Sequence, residues 1–162
     1  MQQAKALQAI AESSLAKEFY FTGGTALAHF YLHHRTSEDL DFFNEQEFSV
    51  QDVTSVIKSL RDSIGYKTID IQTSLNRNIF QLRFDQKSFL KVEFTYFPFP
   101  QVEQPKLQAG LAVDSLLDIA VNKLFTIAQK PRGRDYYDLY AIEQEKNFGL
   151  EKLRQLAKQN HL

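Results

Sequence analysis

The sequence has no cysteine and no tryptophan, and holds one methionine, four prolines and six glycines in 162 residues. Without cysteine, neither a disulfide framework nor a thiolate metal site can form. No apolar run approaches the roughly 18 to 20 residues that a membrane-spanning helix needs. Residues 1–10 carry neither the basic stretch nor the unbroken apolar stretch of an export signal. A soluble, cytoplasmic protein without membrane contact is expected. Charge of one sign is lacking too: 19 basic residues face 20 acidic ones, a net charge of -1. That excludes coating nucleic acid by bulk basicity.

What is present is 43% hydrophobic and 24% charged residues, the make-up of an ordinary globular domain. At this length a folded chain buries roughly 70% of the surface it exposes unfolded, enough for a core without staples. One domain over residues 1–162 is expected. The charges are unevenly spread: residues 1–60 hold four basic and eight acidic side chains, and residues 121–162 hold eight basic and five acidic. An acidic front and a basic rear suit a site that holds a cation at one end and phosphates at the other.

Ala4, Leu7, Ile10, Ala11 and Leu15 recur at helical spacing. Phe19 to Phe21 reads as a strand running into the glycine turn Thr22-Gly23-Gly24-Thr25, and a helix through Ala26, Leu27, Phe30 and Tyr31 follows. Asp39 to Phe43 reads as a strand with both aspartates on one face and Leu40 and Phe42 on the other. Ser49 can cap a helix with the stripe Val50, Val53, Val56, Ile57, Leu60 and Ile64, closed by Gly65. Strands are expected at 66–73, 79–84 and 89–97, the last two joined by a turn at Asp85-Gln86-Lys87-Ser88. Pro98, Pro100 and Pro105 mark a loop, and the period then turns helical: 114–129 with Asp114 as cap, 134–145 and 150–159. The class is α+β, a mixed sheet within about 19–112 flanked by helices, with a C-terminal helical segment at about 114–160.

The densest chemistry is Gly23-Gly24-Thr25 followed by Asp39 and Asp41. A glycine turn at a helix start offers backbone N–H groups to a phosphate. Two carboxylates two apart on a strand repel unless they share a cation, and oxygen donors suit Mg²⁺, which completes its shell with substrate phosphates. Taken singly, a glycine pair is a turn and an Asp-x-Asp a solvated face; the order of the two motifs and the apolar framing of the strand favour a nucleotide site. Glu93, on the same strand face as Lys91, would complete a carboxylate triad if its strand lies beside that of Asp41; otherwise it forms a surface pair with Lys91. Lys123 falls within the stripe Leu116, Ile119 and Ile127, either snorkelling to solvent or reaching a triphosphate. In Lys130 to Tyr140, Asp135, Asp138 and Leu139 share a helix face behind three cations, which suits helix capping or phosphate binding with lysine orientation. His29, His33 and His34 lack a zinc pattern.

Phe21-Thr22-Gly23-Gly24-Thr25-Ala26-Leu27, Tyr31-Leu32 and His34-Arg35-Thr36-Ser37-Glu38-Asp39-Leu40-Asp41-Phe42-Phe43 closely resemble the opening motif of the AbiEii/AbiGii toxin family of nucleotidyltransferases. Val92-Glu93-Phe94, Asn122-Lys123-Leu124 and Arg132-Gly133-Arg134-Asp135-Tyr136-Tyr137-Asp138-Leu139-Tyr140 are similar to its later motifs, in the same order. The resemblance implies a polymerase-β-like nucleotidyltransferase fold that moves a nucleoside monophosphate from a triphosphate to a hydroxyl with Mg²⁺ or Mn²⁺. It also implies a toxin role beside a cognate antitoxin or in phage defence, with RNA such as tRNA, or a protein, as acceptor. On this chain it assigns Asp39, Asp41, Lys123 and Asp135 to catalysis. Nucleotide binding falls to Gly23, Gly24, Thr25, Arg35, Arg134 and Asp138, and the metal to Asp39, Asp41 and Glu93. Glu93 stands where the family often has aspartate. The alternatives are a catalytically silent nucleotide- or RNA-binding module and a small-molecule nucleotidyltransferase.

Overall fold

Two short helices, α1 (Gln2–Ala11) and α2 (Leu15–Glu18), open the chain in the computed structural model, which describes residues 2–161. Met1 and Leu162, part of the single domain expected over 1–162, lie outside the described residues. The helical spacing runs on to Leu15, but the helix breaks at Ser13. The Ser13 hydroxyl donates to the Ile10 carbonyl at 2.8 Å and accepts the Leu15 N–H at 3.2 Å, taking the place of helix bonds.

Strand β1 (Tyr20–Thr22) runs straight into α3 (Gly23–Ala26), so the two glycines form the first turn of a helix and not a separate loop. That helix widens into π geometry over Leu27–Leu32 and stops at His33, whose φ is 51°. β2 (Leu40–Asn44) comes next, then α4 (Val50–Ser59) and α5 (Arg61–Ile64). As the pattern requires, Ser49 caps α4 by accepting the Asp52 N–H, and Val53, Ile57 and Ile64 are buried. β3 (Thr68–Ser74), β4 (Arg77–Arg83) and β5 (Phe89–Tyr96) form the expected meander. The β4–β5 turn is built by Asp85, whose carboxylate accepts the N–H groups of Lys87 and Ser88, each at 2.8 Å.

A hairpin of β6 (Lys106–Gln108) and β7 (Leu111–Val113) follows the prolines. The sequence reading did not assign these strands, because three residues are too few to show a period of two. The helices α6 (Leu116–Gln129), α7 (Gly133–Lys146) and α8 (Leu150–His161) close the chain. The cap of α6 is Ser115, which accepts the Asp118 N–H at 2.9 Å, and not Asp114. Asp114 is drawn inward instead, accepting from Thr22 Oγ1 and Gln101 Nε2, each at 2.7 Å.

The seven strands form one mixed sheet in the order β3-β4-β5-β2-β1-β7-β6, parallel at β2/β5 and β1/β7 and antiparallel elsewhere. One face carries Phe21, Leu40, Phe42, Phe80, Leu82, Val92 and Phe94, all buried in a cluster that also takes in Ile10, Ile57, Ile119 and Leu139. Phe42 stacks on Phe94 with ring centroids 5.2 Å apart, and Phe21 lies 5.0 Å from Phe42. Truncating any one of these rings costs about 3 to 5 kcal/mol. This anchored face fixes the register, so the polar residues between them must point the other way. The register sets Thr22 opposite Asp41 and Asp41 opposite Glu93. Among the described residues no helix is long and apolar enough to cross a membrane.

Candidate active site

The polar face of the sheet begins where β1 ends. Gly23 has φ +77°, and a Cβ placed on it would come within 2.6 Å of Asp41 Oδ2. Glycine is required there by both backbone and space, and the carboxylate of Asp41 lies directly against the turn. A Cβ on Gly24 would meet the Arg35 guanidinium at 2.5 Å, so a cation borders the same turn. Thr25 is buried; its hydroxyl bonds Ser37 Oγ at 3.0 Å and donates to the Asp39 carbonyl, tying the segment before β2 to the helix start.

Asp39, Asp41 and Glu93 do share one face, because β2 and β5 are neighbours. Their surroundings differ sharply. Among the described residues no cation pairs with Asp41; burial, then the nearby Glu93 carboxylate, push its carboxyl up to about 6. Burial would also raise Glu93, but the Arg77 fork and Lys91 outweigh it and hold the group at about 2. Arg77 grips both Glu93 oxygens, Nε to Oε1 at 2.5 Å and a terminal nitrogen to Oε2 at 2.8 Å. Lys91 Nζ stands 3.0 Å from Glu93 and 3.6 Å from Asp39, and the Arg134 guanidinium is 3.8 Å from Asp39.

The second cluster joins α6 and α7. Lys123 is 7% exposed, so it does not snorkel; its ammonium lies between Asp135 at 2.8 Å and Asp138 at 2.7 Å, both fully buried. Arg132 also binds Asp135, at 2.7 Å. Asp138 accepts both arms of the Arg35 fork, at 2.6 and 2.7 Å, and His34 Nε2 at 2.8 Å. An ionised carboxylate only accepts, so Nε2 carries the proton. Burial raises both aspartates, but the Arg35 and Lys123 bonds hold Asp138 at about 2, and Arg132 and Lys123 hold Asp135 below its ordinary range. Arg134, four residues before Asp138 on α7 and so at a spacing that permits an ion pair, turns to Asp39 instead, and Arg35 takes Asp138. Arg134 lies 3.8 Å from Asp39, and Arg35 borders Gly24 while binding Asp138, so the two clusters adjoin.

Reasoning from sequence missed Arg77 and the pairing of Asp138 with Arg35 and His34. Arg77 sits opposite Thr95, on the sheet face of Glu93 and one strand over, a relation that exists only once β4 and β5 are in register. Lys91 was legible from its alternation with Glu93, but its closeness to Asp39 was not.

The donors can be matched to a cation from this chemistry. Asp39 and Asp41 present hard oxygen, and Asp41 is partly buried with no cation in bonding range among the described residues, a condition that a bound cation relieves. Glu93 is already neutralised on both oxygens. Among the described residues no group of three acidic or histidine side chains is arranged to hold an ion.

A sequence model described as "Nucleotidyl transferase AbiEii toxin, Type IV TA system" matches residues 5–160. The chain belongs to this family and is a nucleotidyltransferase. It is 29% identical over 164 residues to an uncharacterised protein of Aquifex aeolicus (strain VF5), spanning 99% of this chain and 74% of that one. In fold it is similar to JHP933 from Helicobacter pylori, with a TM-score of 0.71 at 21% identity, over 93% of this chain and 68% of that one. The nucleotidyltransferase toxin MenT4 of Mycobacterium tuberculosis H37Rv gives a TM-score of 0.54 at 18% identity, over 94% of this chain and 61% of that one. The polymerase-β-like nucleotidyltransferase fold, the α+β class and the family expected from the motifs are thereby borne out.

Proposed function

We propose that this chain transfers a nucleoside monophosphate from a nucleoside triphosphate to a hydroxyl, with Mg²⁺ or Mn²⁺ held by Asp39 and Asp41. The observation that carries the reading is Asp41: a partly buried carboxylate with no cation in bonding range among the described residues, pressed against a glycine turn at a helix start. A cation held there would neutralise charge on the phosphates. The acceptor oxygen bonds to the α-phosphorus, the bond from that phosphorus to the bridging oxygen breaks, pyrophosphate leaves, and the hydroxyl proton is released.

The chain's own groups position this reaction. Backbone N–H groups around Gly23, Gly24 and Thr25 face the phosphates, with Arg35 beside them. Lys123 uses two of its three N–H donors on Asp135 and Asp138, which leaves one for a phosphate oxygen. Asp135 and Asp138, both fully buried, act through Lys123, Arg132 and Arg35 and not by touching substrate. Arg134, half exposed at the rim beside Asp39, extends the cationic side of the cleft.

RNA such as tRNA, or a protein, is the acceptor class this reading favours, and a cognate antitoxin in the same cell is its biological setting. The test is transfer of label from each α-labelled triphosphate, with Mg²⁺, into total RNA or lysate protein. Label entering one pool with wild type and not with Asp41→Ala supports transfer. Equal, background labelling by both proteins would favour the silent binding module, and label on small molecules alone the third reading.

A further inference from the structure

The family pattern makes Glu93 a metal ligand, and its surroundings in this chain do not fit that part. Both of its oxygens are taken by the Arg77 fork, Lys91 adds a third cationic contact at 3.0 Å, and Thr95 Oγ1 donates to Oε1 at 3.1 Å. A metal would have to displace a bidentate guanidinium, among the stronger pairings available to a carboxylate. We infer that Glu93 is instead the anchor of a cation pair, Arg77 and Lys91, that binds the phosphate oxygens of the donor triphosphate and of the pyrophosphate it becomes.

The geometry supports this in three respects. Arg77, Lys91 and Glu93 stand on the same sheet face as Asp39 and Asp41, one and two strands from β2. The Arg77 side chain is 54% exposed although its fork is fixed, so its remaining N–H donors face outward. Lys91 bridges the two groups, at 3.0 Å from Glu93 and 3.6 Å from Asp39, which puts positive charge next to the proposed cation site without filling it. Arg77 and Lys91 together carry one more charge than Glu93 neutralises, and a tetraanionic triphosphate is the ligand that matches a positive surplus beside a metal.

The inference rests on the reading of Asp39 and Asp41 as the cation site, and the experiment separates the two. Mn²⁺ is titrated by electron paramagnetic resonance into wild type, Asp41→Asn, Glu93→Gln and Arg77→Gln, each saturated with a non-hydrolysable triphosphate. Affinity for that triphosphate and for inorganic pyrophosphate is measured alongside by calorimetry. Asp41→Asn should weaken Mn²⁺ binding about tenfold or more while Glu93→Gln holds it within about twofold. Arg77→Gln and Glu93→Gln should each weaken triphosphate and pyrophosphate binding about tenfold, the scale of one charge-assisted hydrogen bond. The double variant Arg77→Gln/Glu93→Gln should be no worse than either single one, because one residue acts through the other. Loss of Mn²⁺ affinity in Glu93→Gln to match Asp41→Asn overturns the inference, as does unchanged phosphate binding in Arg77→Gln. If Glu93→Gln does not fold, Arg77→Gln and Arg77→Lys decide alone, since Arg77 is half in solvent; Lys in its place cannot fork and should recover only part of the binding. Mn²⁺ binding that survives Asp41→Asn would sink the cation reading and leave the phosphate measurements to stand.

Discussion

Two carboxylate clusters adjoin in this protein, and they have opposite electrostatic characters. On the sheet, Asp41 is partly buried with no cation in bonding range among the described residues, and desolvation with the neighbouring Glu93 pushes its carboxyl up to about 6. Between α6 and α7, Asp138 is more deeply buried yet is held at about 2 by Arg35, Lys123 and His34. Burial pushes both groups the same way, so the difference lies in the donors around them. A carboxylate that has all its partners is part of the frame; one left without them is waiting for a ligand. In the proposed reaction Asp41 is the reactive half of the pair and Asp138 the structural half.

The comparison can be broken most directly at Asp138. Asp138→Ala leaves Lys123, Arg35 and His34 around a void and should cost about 3 to 5 kcal/mol, read by urea unfolding. Asp41→Asn should behave in the opposite sense: nucleotidyl transfer falls about 100- to 1000-fold, the scale of losing one transition-state contact, with stability unchanged or raised. If Asp41→Asn destabilised the fold as much as Asp138→Ala, the division between reactive and structural halves would be gone.

The dependence on pH sharpens the contrast, with two signs. Asp41 has a folded pKa above its ordinary value, so the native state binds more protons between about pH 4 and 6 and stability falls as pH rises through that window. Asp138 and Glu93 are held at about 2, so their contribution is present above about pH 4.5 and is lost as pH falls toward 2. Burial pushes the Asp114 carboxyl up to about 7, so urea unfolding from pH 4 to 7 should show a downward slope from Asp41 and Asp114 together. Asp41→Asn should remove only the Asp41 share below about pH 6, and Mg²⁺ should offset that share, the cation binding only the ionised form. The smallest effect is expected at Arg134→Gln: a half-exposed cation 3.8 Å from Asp39 should change stability by less than about 0.5 kcal/mol. Its signature should be a modest, salt-sensitive change in substrate affinity.

Much of this was legible in the residues. Alternation in Asp39 to Phe43 and Phe89 to Tyr96 placed the acids on one face because Leu40, Phe42, Val92 and Phe94 needed the other. The capping serine before α4 and the Asp85 turn were readable because their hydrogen bonds are local. The β6–β7 hairpin was not, since three-residue strands exist only through the β1 edge that β7 joins. Asp114 was misread as a cap because nothing in its neighbourhood along the chain shows Thr22 and Gln101 closing on it.

The sequence by itself determined most of the elements, the face each acid takes and the family, because these depend on period, local bonding and motif order. The tertiary structure decided which charges meet. Asp138 lies 103 residues from Arg35 and Glu93 lies 16 from Arg77, and only strand register and helix docking set those pairs within bonding range. Which carboxylate is paired, and which has no cation in bonding range, follows from those meetings alone.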